Sequence, residues 1–151
     1  MNDPDVEPFL SGRGPRTRDD LAAEAARSDT EPQTFGRFVV EVGGERAGTF
    51  TFACANEPSR IARVGGLAIA PGFRGRGLAD EAARWLQRYL LFELGYHRVE
   101  LEVYGYNERA QRQAERAGFV REGVKRRAYL RHGDWVDGVF YGLTREDLEE
   151  P

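Results

Sequence analysis

Hydrophobic residues recur at every second position in the first half of the chain. Apolar and polar residues alternate from Phe38, turn at Gly43-Gly44 and resume over residues 47–55, which predicts a β-hairpin. A more continuous apolar stretch, residues 61–70, predicts a buried central strand that ends at Pro71-Gly72. Three neighbouring strands are therefore expected before the middle of the chain.

The period then changes to three and four residues, which is typical of amphipathic helices. Residues 78–94 have the longest such stripe, and Gly95 follows it as a helix-ending residue. Residues 98–104 alternate again as a strand, and residues 107–117 form a second amphipathic helix before Gly118. A strand–helix order of this kind predicts a mixed sheet with helices packed on it.

The two ends of the chain complete the prediction. Residues 119–130 and 135–143 are expected to form a closing hairpin, followed by one helical turn. Near the start, Thr17 is expected to cap a short helix over residues 18–28, and the proline-bearing residues 1–16 to form an irregular lead-in. We expect residues 17–151 to be a single α/β (α+β) domain.

Composition excludes several classes of function. The single Cys54 and the two histidines, His97 and His132, do not make a metal site or an internal disulfide. A net charge of −3 gives no overall attraction to nucleic acid. No apolar run suffices to cross a bilayer, and the acidic start lacks the features of a signal peptide, so we expect a cytoplasmic protein without a membrane partner.

A glycine-rich loop between the third strand and the long helix is the most informative segment for function. Gly75 and Gly77 leave the backbone amides open, and the following helix adds its own unpaired amides, so the loop is suited to a pyrophosphate. A Walker loop is excluded because no Gly-Lys-Ser/Thr follows, and a dinucleotide Gly-x-Gly-x-x-Gly fails at Asp80. Arg74 and Arg76 either grip the anion or are simply solvated.

Two blocks of sequence together resemble a known family. The segment Arg74-Gly75-Arg76-Gly77-Leu78-Ala79 resembles the signature of the GNAT superfamily of acyl-CoA N-acyltransferases, and Asn107, Ala110 and residues 115–119 resemble its second block. The tail, with residues 118–123 and 133–137, is similar to the RimJ/RimL-like branch, which includes N-terminal alanine and polyamine acetyltransferases. The resemblance covers residues 35–143.

The resemblance implies a GNAT fold, with a mixed sheet of about six to seven strands, and acetyl-CoA as co-substrate. The first strand of the family has no counterpart before Arg18, which implies an abbreviated acceptor side that a partner subunit could complete. Asn107 would contact the pantetheine arm, although it is also suited to cap a helix. The pyrophosphate would lie on the amides of Arg74, Gly75, Arg76, Gly77, Leu78 and Ala79, and the pantetheine and thioester carbonyl on the backbone of Leu67, Ala68 and Ile69.

For catalysis, the family position of the base falls on Glu102, which shares its strand face with Glu100. The alternative is that both glutamates are a solvated strand face. Many family members have a tyrosine seven residues after the asparagine, whereas this chain has Ala114. Tyr104 or Tyr106 would then protonate the leaving thiolate, or solvent would do so.

The function implied is transfer of an acetyl group to a primary amine by direct attack in a ternary complex. The acceptor stays open between a protein N-terminus, a polyamine, an amino acid and an aminoglycoside-like amine. The alternative is a catalytically degenerate CoA-binding module, because of Ala114 and the short front. The basic residues 125–131 lie on an edge strand, and an exposed edge permits a homodimer. For these residues, contact with an acidic acceptor or with the CoA 3′-phosphate is favoured over RNA binding.

Overall fold

The computed structural model describes residues 18–148, so the expected lead-in over residues 1–16 and the Thr17 cap lie outside the described residues. Four helices, six strands and a short 3-10 turn at Pro71–Phe73 follow one another in the predicted order. They are α1 (Arg18–Thr30), β1 (Phe35–Val42), β2 (Glu45–Asn56), β3 (Ile61–Ile69), α2 (Leu78–Arg88), β4 (Arg98–Tyr104), α3 (Glu108–Arg116), β5 (Val120–Arg131), β6 (Asp134–Thr144) and α4 (Arg145–Leu148).

The strands form one six-stranded sheet in the order β1-β2-β3-β4-β6-β5. Every neighbouring pair is antiparallel except β3 and β4, which run parallel because α2 connects them. Within residues 18–148, α1 precedes the first strand and packs beside it through an ion pair of 2.6 Å between Glu24 and Arg37. The predicted mixed sheet of six to seven strands is confirmed, with six strands.

The hydrophobic core lies between the sheet and the two helices α2 and α3. Leu86 and Leu90 lie on the apolar stripe predicted for residues 78–94 and belong to one core cluster with Val99 and Val103 of β4. Ala110 and Ala114 supply the small face of α3, which lets that helix approach the sheet closely. Burying each large aliphatic side chain contributes about 1.5–3 kcal/mol, so this layer holds α2, α3 and β4 together.

The helix predicted over residues 78–94 is not a single α-helix. The α-helical hydrogen bonds end at Arg88, and Tyr89–Glu93 form one wider π-helical turn in which the Leu94 amide donates to the Tyr89 carbonyl at 2.9 Å. The extra residue in this turn allows the adjacent Leu90 and Leu91 both to be fully buried at 0% exposure. No helix in the described part of the chain is long and apolar enough to span a bilayer.

A gap opens between the two parallel strands in the middle of the sheet. β3 and β4 are in register only from Ile61–Arg98 to Arg63–Glu100, and beyond these pairs they diverge. On its other side β3 carries a bulge, because Gly65 and Ala68 oppose Thr51 and Thr49 of β2 and leave one extra residue on β3. The diverging ends leave backbone groups of β3 and β4 facing the gap rather than each other.

Candidate active site

The predicted glycine loop, residues 70–77, joins β3 to α2 at the mouth of this gap. Gly75 and Gly77 have φ of 79° and 73°, a left-handed conformation that glycine adopts at low cost. No atom lies within 4 Å of where a Cβ would stand on either residue, so the space in front of their backbone is open. Gly77 is the residue before the first turn of α2, and its position leaves the amides of that turn facing the open space.

The two arginines of the loop have different surroundings. Arg74 donates from Nε to the carbonyl of Ile69 at 3.0 Å, which fixes the loop to the end of β3. The Arg76 guanidinium lies 5.3 Å from the Phe73 ring centre and is exposed, with a long 3.5 Å contact to the Gly72 carbonyl. Arg74 therefore shapes the loop, while Arg76 extends from it.

A cavity of about 360 Å³, which we call the loop cavity, lies between this loop and α3. Its walls include the predicted Leu67, Ala68 and Ile69. The opposite wall comes from residues of α3 that the sequence analysis did not single out, namely Arg109, Gln113 and Arg116. Their spacing of four and three residues puts them on one helical face, a signal that was present in the sequence. Arg116 is held by a 3.4 Å ion pair with Asp80.

A second, mostly apolar cavity of about 80 Å³, which we call the cleft, lies beside the loop cavity at the gap. The two share Leu67 and Gln113 as walls. The Nε2 atom of Gln113 is buried and has no hydrogen-bond partner among residues 18–148. An unpaired buried donor is costly, so Gln113 is suited to an acceptor group of a ligand that runs from one cavity to the other.

Glu102 lines the cleft from the far side of β4. The cleft-facing residues of that strand are Val99, Leu101 and Val103, but Glu102 reaches the same space because β3 and β4 are separated there. Its Oε1 atom is buried without a hydrogen-bond partner in the described residues. A carboxylate oxygen kept from water with its lone pairs free is suited to accept a proton from a bound group.

Tyr129 of β5 lies beside this carboxylate and was not identified from the sequence. A Cβ on Gly138 would clash with Glu102 Oε1 and would stand 2.7 Å from Tyr129 Cε2, so a glycine is needed for the two side chains to meet. Burial, and after it the hydrogen bond to the Glu102 carboxylate, raise the pKa of Tyr129 to about 12. Tyr129 is therefore a neutral hydrogen-bond donor near neutral pH, although it does not satisfy Oε1.

The neighbouring Glu100 has a different environment. Its carboxylate pairs with Arg98 at 3.0 Å and with Arg63 at 3.4 Å. Arg98 also donates to Glu122 from both terminal guanidinium nitrogens, and this pair lowers the pKa of Glu122 and raises that of Arg98. Glu100 thus belongs to an ion-pair network, whereas Glu102 is directed towards the cleft.

The remaining predicted residues separate into two groups. Asn107 caps α3 by accepting from the Ala110 amide at 3.0 Å, which confirms its capping role and leaves its amide nitrogen as a donor. Ala114 lines the cleft. Tyr104 and Tyr106 line neither cavity; their rings stack at 5.7 Å, and Tyr104 is buried while Tyr106 is 46% exposed. Their proposed acid role stays a prediction.

Comparison with known proteins shows the family. The family described as "Acetyltransferase (GNAT) domain" matches residues 1–120. The chain is 32% identical to spermidine N(1)-acetyltransferase of Escherichia coli (strain K12) over 113 residues, 75% of this chain and 58% of that protein. It is 36% identical to the SPbeta prophage-derived uncharacterized N-acetyltransferase YokL of Bacillus subtilis (strain 168) over 83 residues, 55% of this chain and 47% of that protein. The chain belongs to the GNAT acetyltransferase family.

Solved structures agree on the fold. A spermidine N-acetyltransferase from Vibrio cholerae, crystallised with CoA and spermine, superposes with a TM-score of 0.86 over 99% of this chain and 88% of that chain. At 22% identity this likeness shows the fold alone. The chain spans about half the length of the curated relatives it matches. Among residues 18–148, no group of three or more His, Cys, Asp or Glu side chains is placed to hold a metal ion.

Proposed function

We propose that this protein is an acetyl-CoA-dependent N-acetyltransferase that acts on a primary amine. The observation that carries the proposal is a pair of adjacent cavities, which share Leu67 and Gln113 as walls and lie between the glycine loop and Glu102. The loop cavity suits a diphosphate, and the cleft presents a buried carboxylate oxygen. Family membership supports the same chemistry, because relatives with this domain are named N-acetyltransferases.

In this proposal the loop cavity holds the diphosphate of CoA. The amides of residues 75–79 would bind the diphosphate, while the Arg74 amide donates to the Pro71 carbonyl at 3.4 Å, and the N-terminus of α2 adds its positive dipole end. Arg109 and Arg116 add positive charge from the opposite wall. Gln113 Nε2, unpaired and buried between the two cavities, donates to an amide carbonyl of the pantetheine arm, and the Asn107 amide nitrogen is a second donor near it.

The chemistry takes place where the cleft meets Glu102. The backbone of Leu67, Ala68 and Ile69, beside the bulge of β3, holds the thioester and donates to its carbonyl oxygen. Glu102 accepts a proton from the acceptor amine, directly or through water. The amine nitrogen then bonds to the acetyl carbon, the carbon–sulfur bond breaks, and the electron pair leaves with the sulfur. The products are an N-acetyl amide and CoA.

The thiolate needs a proton to complete the reaction. Tyr104 and Tyr106 stay the predicted donors, with solvent as the alternative, since Ala114 has no proton to give. A thiol is a tolerable leaving group near neutral pH because its ordinary pKa is about 8.5. The second candidate function, a CoA-binding module without turnover, has in its favour only Ala114 and the placement of both tyrosines outside the two cavities.

The direct test is calorimetric titration of acetyl-CoA into the wild type and into Gly75→Glu/Gly77→Glu. We expect saturable binding that the double variant abolishes, because the added carboxylates occupy the phosphate space. The matched control is Gly43→Glu/Gly44→Glu, which adds the same charge at two glycines of positive φ, 58° and 84°, in the β1–β2 turn. Binding that survives in the loop variant, or that the control also loses, would overturn the proposed site.

Three further expectations stay predictions. These are the single domain over residues 17–151, the cytoplasmic location and the homodimer. The homodimer prediction rests on β5, which is the edge strand of the sheet and carries the exposed Val120, Val124 and Leu130. Sedimentation analysis of the purified chain tests it.

A further inference from the structure

The edge strand β5 carries a bulge of positively charged residues. Lys125 and Tyr129 of β5 oppose Gly138 and Val136 of β6, so three β5 residues stand against the single Asp137. These three are Arg126, Arg127 and Ala128, and with Lys125 they form what we call the basic bulge, residues 125–128. All four side chains are exposed.

Asp137 fixes the shape of the basic bulge. Arg127 has a left-handed φ of 49°, and its amide donates to Asp137 Oδ1 at 2.7 Å. The carbonyl of Asp137 accepts from the Gly105 amide at 2.8 Å, directly after β4. A Cβ on Gly105 would lie 3.0 Å from the Asp137 Cβ, so the bulge and the end of β4 are packed against each other. These contacts fix the bulge against the end of β4.

Lys125 of the basic bulge lies on the same face of the sheet as Glu102. Phe140 is the direct partner of Glu102 across β4 and β6, so their side chains share that face. Lys125 Nζ stands 4.7 Å from the centre of the Phe140 ring and 5.9 Å from that of Tyr129, the residue beside Glu102. The Lys125 ammonium and the Glu102 carboxylate therefore both lie beside the Tyr129 side chain.

Other cations on this face are arranged around the same point. The Arg131 guanidinium lies 5.0 Å from the Tyr104 ring centre, next to Tyr129. Arg98 and Arg63 are matched by Glu100 and Glu122 in the ion-pair network. In this network two arginines are matched by two glutamates. The three cations of the basic bulge stand beside one carboxylate of the bulge region, that of Asp137, which already accepts a hydrogen bond from the Arg127 amide. The basic bulge, with Lys125, Arg126 and Arg127 beside Asp137, is therefore itself positive.

We propose that the acceptor of this enzyme is an amine with a carboxylate close to it, held by the basic bulge, and not a polyamine. This inference rests on the proposed acetyltransferase function and concerns the acceptor side of that site. A polycation would meet Lys125, Arg126 and Arg127 as like charges, whereas a carboxylate would be attracted to them. An acidic peptide N-terminus and a free amino acid share this chemistry.

The test compares acceptors that differ only in charge. The peptide amides Ala-Glu-Glu, Ala-Gln-Gln and Ala-Lys-Lys, alanine with alaninamide, and spermidine are assayed for CoA release. Binding of each to the CoA-loaded protein is measured in parallel by calorimetry. We expect the acidic peptide to exceed the lysine peptide and spermidine by about tenfold or more in kcat/KM and in affinity. A preference for alanine over alaninamide without one among the peptides would identify the free amino acid as the source.

Variants locate the preference in the bulge. The charge-reversal variant Lys125→Glu/Arg126→Glu is expected to abolish or invert the preference for acidic acceptors. If that variant does not fold, the milder Lys125→Gln/Arg126→Gln is expected to reduce the preference several-fold. Arg46→Glu/Arg88→Glu changes charge equally at exposed sites on β2 and α2 and should leave the preference intact. Equal or stronger use of the lysine peptide or spermidine, or the absence of acidic-peptide binding, would overturn the inference.

Two outcomes separate this inference from the proposed function. If the bulge variants weaken acetyl-CoA binding instead of acceptor binding, the bulge holds the CoA phosphate and the inference is wrong while the acetyltransferase site stands. If acidic peptides bind preferentially but CoA is never released, the acceptor inference stands and the proposed turnover fails.

Discussion

The loop cavity and the Glu102 face lie on opposite sides of the gap between β3 and β4, and they are built from different materials. The loop cavity uses backbone: the positive φ of Gly75 and Gly77 and the first amides of α2 face it. The Glu102 face uses side chains from three strands, with Glu102 on β4, Tyr129 on β5 and Phe140 on β6. Backbone recognition is suited to a cofactor-like donor shared by a family, and side-chain recognition to an acceptor that differs between its members.

The largest expected effect separates the two regions by chemistry. Glu102→Gln should lower kcat/KM by about 10²–10⁴-fold, because the amide cannot accept the proton of the amine, and should leave acetyl-CoA affinity unchanged. Steady-state kinetics and calorimetry measure the two quantities. Glu100→Gln is the matched control on the same strand face, and it should retain activity within a few-fold. A fully active Glu102→Gln would remove its assigned role.

A second change should have the opposite signature. Arg109→Ala/Arg116→Ala is expected to weaken acetyl-CoA binding by about 10- to 100-fold, since charge-assisted hydrogen bonds to phosphate are lost from the wall of the loop cavity. The catalytic rate at saturating acetyl-CoA should change little. Arg112 lies on the same helix, but it is exposed and pairs with Glu108 at 3.6 Å, so Arg112→Ala should bind acetyl-CoA normally. Equal weakening by Arg112→Ala would indicate general loss of charge instead of a specific wall.

The difference between the two regions also explains what the sequence could predict. The glycine loop, α2 and the Asn107 cap are local features, and their signals lie within a few residues of one another. The spacing of Arg109, Gln113 and Arg116 also placed them on one face of a predicted helix. Their role as a wall of the loop cavity could not be predicted, because it depends on that face of α3 being turned towards the loop. Tyr129 could not be placed beside Glu102 from spacing alone, because that contact depends on Gly138 and on the strand register.

Two further features escaped prediction for physical reasons. The π-helical turn at Tyr89–Glu93 keeps the apolar stripe continuous, so periodicity cannot distinguish it from an α-helix. The basic bulge was visible as a cluster of cations on an expected edge strand. Its closeness to the Glu102 face depends on the strand register and on the contacts of Lys125 with Tyr129 and Phe140, which only the paired strands reveal.

A smaller effect should come from the hydrogen bond beside the carboxylate. Tyr129→Phe is expected to lower kcat by about 2- to 10-fold, because one neutral donor to Glu102 is lost, with acetyl-CoA affinity unchanged. Steady-state kinetics, in which release of the free thiol of CoA is followed, measure this change in kcat. Tyr106→Phe tests the predicted acid on the exposed side of the stack in the same assay. Loss of acetyl-CoA binding in Tyr129→Phe would mean that the tyrosine supports the donor side instead.

The smallest effect concerns acid stability of the acceptor face. Arg98 holds the pKa of Glu122 below its ordinary value of 4.5, so the pair stabilises the fold above that pH and the contribution is lost as the pH falls through the lowered pKa. Glu122→Gln should lower the free energy of unfolding by at most about 1 kcal/mol at pH 7, because the Glu122 side chain is 39% exposed. Urea unfolding at a series of pH values from 7 to 3 should show the difference shrinking as the pH falls. A difference that stays constant or grows towards acid pH would contradict the ion-pair origin.

Hydrogen–deuterium exchange with and without CoA tests the division between the two regions most directly. CoA should slow exchange of the amides in residues 74–79 and at the start of α3, and leave the basic bulge at residues 125–128 unchanged. Slowed exchange at the bulge with none in the glycine loop would contradict the division, and would place the donor on the face assigned here to the acceptor.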